Sequence, residues 1–258
     1  MTGGRLGYST ELIIRIGIAL LFAVVLGNGS VVAFNRMPAR WFEDYPEDAA
    51  LDYDGPKVLP EKLVEADAMG RQRLPSTPWK YAFVSYFAIC GIYLAVRGGS
   101  IEYEIAVLCT LFIVLEMAIS DQLYKVVPDQ FGWALIFAAI AFTQYYDKWW
   151  EQPAGALVGL GISLAILIIG NLLFKTGSIG GADIKFFTCM GLITGRSGVV
   201  IIFILTTIFF AIYSVIKIAG RRGTIKDKNA MLPAGLAAVT VYFLFIWNMG
   251  GDIFTLKL

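Results

Sequence analysis

Blocks of apolar residues at about 16–35, 79–96, 101–120, 131–147, 154–174, 183–195, 198–220 and 229–249 leave this chain few ways to fold. Most approach the ~20 residues that a helix needs to cross the hydrocarbon of a bilayer. Backbone in lipid has no water to bond, so each block satisfies its own N–H and C=O groups best as a helix. Only 16% of the 258 residues are charged, against about a quarter in a soluble domain. The expected fold is all-α, a polytopic membrane protein with about eight transmembrane helices. It divides into a first transmembrane helix at 1–38, a polar cytoplasmic loop at 39–78 and a seven-helix membrane domain at 79–258. The first block runs into Gly27–Phe34 without a small-residue cleavage site, so it reads as a retained span.

The basic residues set an expected orientation. With the N-terminus outside, Arg36, Arg40, Lys57, Lys62, Arg71, Arg73, Lys80, Lys125, Lys175, Lys185, Lys217, Arg221, Arg222, Lys226 and Lys228 fall inside. Only Arg5, Arg15, Arg97, Lys148, Arg196 and Lys257 fall outside. That asymmetry follows the positive-inside rule and turns the loops at 121–129 and 175–182 toward the cytoplasm. The loop 39–78 holds Glu43, Asp44, Glu47, Asp48, Asp52 and Asp54 close together. It reads as a solvated linker or as an acidic surface for a basic peptide.

Composition removes several kinds of chemistry. A net charge of +1 says nothing about nucleic acid, but no dense basic run appears, so no nucleic-acid partner is expected; the chain has no histidine. Reaction chemistry must then use carboxylates, hydroxyls or lysine. Cys90, Cys109 and Cys189 each lie inside an apolar block and read as small hydrophobes. No metal site is expected. The loop 39–78 has no cysteine, and its acids are poor ligands for structural zinc without thiol or imidazole.

Two acids sit where apolar blocks end. In Gly177-Ser178-Ile179-Gly180-Gly181-Ala182-Asp183-Ile184-Lys185, small residues precede Asp183, and they let a second backbone approach closely. Asp183 also suits the start of the helix that follows. Asp121 closes the third block, and Pro128 seven residues later lets a new helix begin. Acids at membrane depth are costly and usually face a cavity or a partner. Two carboxyl groups brought together tend to share a proton, and such a pair can activate water against a peptide bond. The same acids, with Glu116, also suit an ion- or proton-coupled transporter.

The chain resembles the type IV prepilin peptidases, membrane aspartyl proteases of the GxGD type, over about 27–245. The resemblance rests on Gly27 with Arg36-Met37-Pro38, on Asp121…Val127-Pro128-Asp129, on Gly180-Gly181-Ala182-Asp183-Ile184-Lys185, and on Leu232-Pro233-Ala234-Gly235. It implies catalysis by Asp121 and Asp183. It also implies a substrate loop shaped by Gly180, Gly181, Ala182, Lys185 and Pro128. The substrates would be prepilins or pseudopilins in the inner membrane of a prokaryote, cut on the cytoplasmic side after a glycine that ends a basic leader. Many bacterial members then N-methylate the new N-terminus with S-adenosylmethionine, and Gly27, Arg36 and Pro38 are the residues associated here with that step. The peptidase step needs no cofactor. Ala182 stands where the family usually has glycine, and the family's Cys-x-x-Cys zinc pairs are missing from 39–78, which leaves methylation open. The substrate pilin and the oligomeric state are likewise open.

Overall fold

The structure is a computed structural model that describes residues 3–38, 41–42, 74–174, 180–220 and 229–247. Most of the acidic loop 39–78 and the glycine-rich stretch before Gly180 lie outside the described residues. Among the described residues all regular structure is helical: α1 (Gly3–Arg36), α2 (Ser76–Arg97), α3 (Ile101–Tyr124), α4 (Asp129–Ile140), α5 (Glu151–Phe174), α6 (Gly181–Ala219) and α7 (Leu232–Val241). A 3-10 turn at Thr143–Tyr145 follows α4, and a π-helical turn at Tyr242–Ile246 extends α7.

The ends of these helices follow from local chemistry. Ser100 caps α3 by accepting the Tyr103 N–H at 3.2 Å, and Glu102 and Glu104 in the first turn complement the positive end of the helix dipole. Gly98, at φ 82°, closes α2 in the left-handed conformation that glycine adopts without strain. Lys125 takes the same role after α3 at φ 60°, its N–H returning to Asp121 O at 3.1 Å. Pro128 then precedes the first turn of α4.

Helix α3 is the axis of the bundle. Its most apolar window is 78% buried, against 17–33% for the other long helices. A helix that is apolar all round must be surrounded by protein, and α3 has α1, α2, α4 and α7 packed about it. The outer helices turn Leu21, Ile89, Phe137, Leu157 and Val215 outward, as surfaces facing lipid tails do.

Close helix contacts rest on small residues. A Cβ on Gly155 would stand 2.1 Å from Gly191 O, and one on Gly159 2.2 Å from Phe187 O. The backbones of α5 and the first part of α6 therefore touch in antiparallel register, the small-residue packing favoured where no hydrophobic force joins helices. Gly27 does the same for α1 and α2, lying where a Cβ would be 2.5 Å from Val84 N.

The expected count of about eight spans is not confirmed. Among the described residues five helices are long and apolar enough to cross a membrane, and the apolar helices at Asp129–Ile140 and Leu232–Ile246 are shorter. The blocks 183–195 and 198–220 form the two separate arms of α6, divided at Gly195 (φ 70°, ψ −175°). Its two arms fold back on each other. The rings of Phe187 and Phe203 sit 5.3 Å apart, whereas straight helix would separate these positions by about 24 Å at its rise of ~1.5 Å per residue. A reversal this tight needs a residue free to adopt positive φ, which glycine supplies.

The bundle has two chemically distinct ends. One gathers Tyr103, Phe142, Tyr145, Tyr146, Phe243 and Trp247 in edge and stacked contacts. Arg15 lies at that end, buried against Glu104 and Gly99 O. Arg97 there bonds Leu244 O in the π-helical turn, and Arg196 pairs with Glu151 at 2.8 Å. The other end carries Asp121, Asp183 and the start of α7.

Candidate functional site

Asp121 lies in the last turn of α3 and is 9% exposed. The chain reverses just beyond it, because Ser120 Oγ donates to Val126 O and Lys125 adopts positive φ. One carboxylate oxygen, Oδ2, accepts the Leu232 N–H at 3.0 Å. Leu232 opens α7, and Pro233 follows within its first two positions, where the missing N–H costs nothing. The acid of α3 thus meets the unpaired donors and positive dipole of α7, an arrangement that favours negative charge.

Asp183 stands in the first turn of α6, and its Oδ2 accepts the Gly180 N–H at 3.3 Å. That bond is a capping-box contact from the third helical position, with Gly180 and not Asp183 as the N-cap. It is not the whole of its environment, for Asp183 is near enough to Asp121 for the two charges to interact. Packing explains the approach. Phe186, one turn beyond Asp183, presses on Gly235, where a Cβ would stand 3.0 Å from Phe186 Cζ. The N-terminus of α7 is therefore the shared element: Asp121 bonds its first residue, and α6 leans on its first turn.

The other sequence-predicted residues divide. Gly180 and Gly181 are exposed beside Asp183, and nothing stands within 4 Å of where a Gly181 side chain would start. Ala182 is half-buried and packs against the core. Pro128 is buried at the start of α4. Lys185 forms an ion pair with Asp129, so the acid it faces directly is the one after Pro128. That contact ties the loop after Asp121 to the helix of Asp183. Gly27 is occupied by its contact with Val84, while Arg36 and Pro38 are exposed at the end of α1. This end lies against the last turn of α3, through rings of Phe34 and Phe42 at 6.0 and 4.8 Å from Tyr124.

Glu116 is apart from the pair. It is 1% exposed, and neither carboxylate oxygen has a hydrogen-bond partner. It faces Ser30 of α1, whose hydroxyl is engaged with Leu26 O at 2.9 Å. Five positions along a helix turn a side chain by about 140° at 3.6 residues per turn, so Glu116 and Asp121 leave α3 on different faces.

Two features had no warning in the sequence. Asn35 holds Leu74 by a pair of hydrogen bonds, Nδ2 to Leu74 O at 2.9 Å and Leu74 N to Oδ1 at 2.8 Å. The amide side chain mimics a backbone partner and joins the two ends of the segment between α1 and α2. The second is the Leu232 N–H, whose segment was legible only as a weak motif. Basic groups border the site too. Lys125 interacts with Asp121 and Lys217, and partial burial holds its ammonium below the usual lysine range, with Asp121 opposing. No group of three or more His, Cys, Asp or Glu suited to a metal occurs among the described residues.

A helical membrane protein with two aspartates from separate helices near enough to interact, one of them bonded to the N-terminus of a third helix, is the class that fold and site define. Residues 106–215 match the type IV leader peptidase family, and both aspartates lie within the match. The match covers less than half of the chain and takes in the Asp121 and Asp183 motifs but not those at Gly27–Pro38 and Leu232–Gly235; it supports the resemblance to a prepilin peptidase, a hydrolase. No curated protein and no solved structure matches the chain.

Proposed function

We propose that the protein is an aspartic endopeptidase that removes the basic leader from type IV prepilins or pseudopilins, with Asp121 and Asp183 as its catalytic pair. The observation that supports this reading is that Asp121, bonded to the first N–H of α7, and Asp183, in the first turn of α6, lie near enough for their charges to interact. Two interacting carboxyl groups at a membrane rim hold one proton between them. The ionised member takes a proton from a water as it attacks the scissile carbonyl, and the protonated member donates to the carbonyl oxygen. The roles belong to the pair and are not divided between its members. Open space beside Gly181 leaves room for an extended substrate backbone next to Asp183.

The basic residues favour an orientation with this rim toward the cytoplasm of a prokaryotic inner membrane. Cleavage then falls after the glycine of the leader while the apolar helix of the substrate stays in the bilayer. N-methylation by S-adenosylmethionine would be a second activity of the same chain. Gly27 offers no cradle for that cofactor, since its Cα side is filled by Val84. Incubation with labelled S-adenosylmethionine and a processed pilin tests that activity directly. The transporter reading loses its third acid, because Glu116 faces α1.

Asp121→Asn and Asp183→Asn, made separately and scored for leader removal from a co-expressed prepilin, test the proposal. Each is expected to lower processing by about 10²–10⁴-fold, the usual contribution of a positioned acid or base. Full processing by either variant overturns the two-acid mechanism.

A further inference from the structure

The chain leaves α3 through a residue in a strained conformation. Lys125 follows the last turn at φ 60°, ψ 18°, and its N–H returns to Asp121 O at 3.1 Å. Helices commonly close in this way, but usually with glycine at the left-handed position. A residue with a Cβ is strained there and stays only where its surroundings hold it. One constraint lies beyond it, the bond from Ser120 Oγ to Val126 O. The other lies just before it. Tyr124 packs against two buried rings, Phe34 at 6.0 Å in a near-parallel stack and Phe42 at 4.8 Å, which themselves stand 5.8 Å apart. The end of α1 that carries Phe34 is fixed in turn, because Asn35 holds Leu74 by two hydrogen bonds.

We propose that Tyr124, clasped by Phe34 and Phe42, is a positioning residue for Asp121. It holds the left-handed turn at Lys125 and so keeps the end of α3 closed. The inference rests on the peptidase reading and adds to it a group that acts through the backbone of Asp121. The path is short. The carbonyl that receives the Lys125 N–H is that of Asp121 itself, so the turn pins the backbone from which the carboxylate projects. From there Oδ2 meets the Leu232 N–H at 3.0 Å, and the acid stands near Asp183. With the rings removed, Lys125 is free to leave the strained conformation, and the last turn of α3 frays. A displacement of ~1 Å at a reacting group can cost about 10²-fold in rate.

The test uses the full chain in phosphatidylethanolamine–phosphatidylglycerol vesicles with an embedded prepilin, with kcat and KM measured per molecule of folded enzyme. Tyr124→Ala should lower kcat by about 10–10²-fold and leave KM within about threefold. Tyr124→Phe keeps the ring and should turn over normally. Glycine takes positive φ without strain, so Lys125→Gly supplies the decisive background. It also removes a charge that interacts with Asp121, so its own turnover is the reference for the pair. In that background Tyr124→Ala should cost less than about threefold. Equal losses in both backgrounds overturn the inference, as does a normal kcat in Tyr124→Ala. A rise in KM alone overturns it too, and so does a Tyr124→Phe variant as slow as Tyr124→Ala. If Tyr124→Ala does not fold, Phe42→Leu, which removes one ring of the clasp and keeps an apolar side chain, takes its place in the same comparison. Failure of the unsubstituted chain to cleave removes the peptidase reading and the inference together. Cleavage by the unsubstituted chain with equal losses in both backgrounds removes the inference alone.

Discussion

The Leu232 N–H that reaches Asp121 gives this acid a partner that solvent gives an exposed one. Asp183 has its counterpart in Gly180 N–H. Glu116 has none, and a carboxyl group buried without partners is costly in its charged form. Glu116→Gln keeps the shape and removes the charge, so thermal unfolding in detergent should shift by less than about 1 kcal/mol, with processing within a few-fold of normal. Glu116→Lys should prevent accumulation of folded protein. The pair Lys185–Asp129 is half-exposed and worth at most about 1 kcal/mol to the fold. Its interest lies in the coupling it reports. Lys185→Ala, Asp129→Ala and the double variant form a cycle, and the double variant should process substrate no more slowly than either single one. Additive losses would mean that Lys185 acts on Asp183 independently of Asp129.

Among the elements, α6 shows how little separates one long helix from two short ones. Gly195 has positive φ and lies where a Cβ would be 3.0 Å from the Tyr146 ring. Gly195→Ala therefore carries both backbone strain and a clash, and should lower stability by about 1–3 kcal/mol in a detergent melt. The contact between α5 and α6 is less forgiving. Gly191→Ala puts a methyl group 2.1 Å from Gly155 O, where no flexible side chain can move aside. The helices must separate, with a loss of at least the ~1–3 kcal/mol usual for overpacking. Since α6 carries Asp183, processing should fall with stability. Apolar length identified both arms of α6 in the sequence as separate blocks, with the glycines Gly191 and Gly195 near the break. The reversal itself was not legible, because the same glycines also serve close packing, and composition does not separate the two uses.

For the whole molecule, the two ends do different work. The aromatic end holds Arg15 against Glu104, a buried ion pair far along α3 from Asp121. Removing one member leaves a charge without its partner, at a cost of about 3–5 kcal/mol. Glu104→Gln should therefore lower the melting temperature strongly. In the fraction that folds, the turnover of prepilin should be unchanged, because the pair takes no part in the site. A fall in turnover with normal stability would contradict that separation of the two ends.

Apolar block length, low charge and the absence of histidine determined an all-helical membrane bundle whose chemistry must use carboxylates, hydroxyls or lysine. The glycines before Asp183 and the proline after Asp121 marked the helix ends where those acids stand. These features are legible because solvation and backbone conformation act within a few residues of chain. The tertiary structure alone decided that Asp121 would bond the first N–H of α7, that Lys185 would face Asp129, that Glu116 would turn toward α1, and that α6 would double back at Gly195. Each of these joins residues far apart in sequence, and their separation is set by which helix faces pack, a property of the assembled bundle and not of any one block.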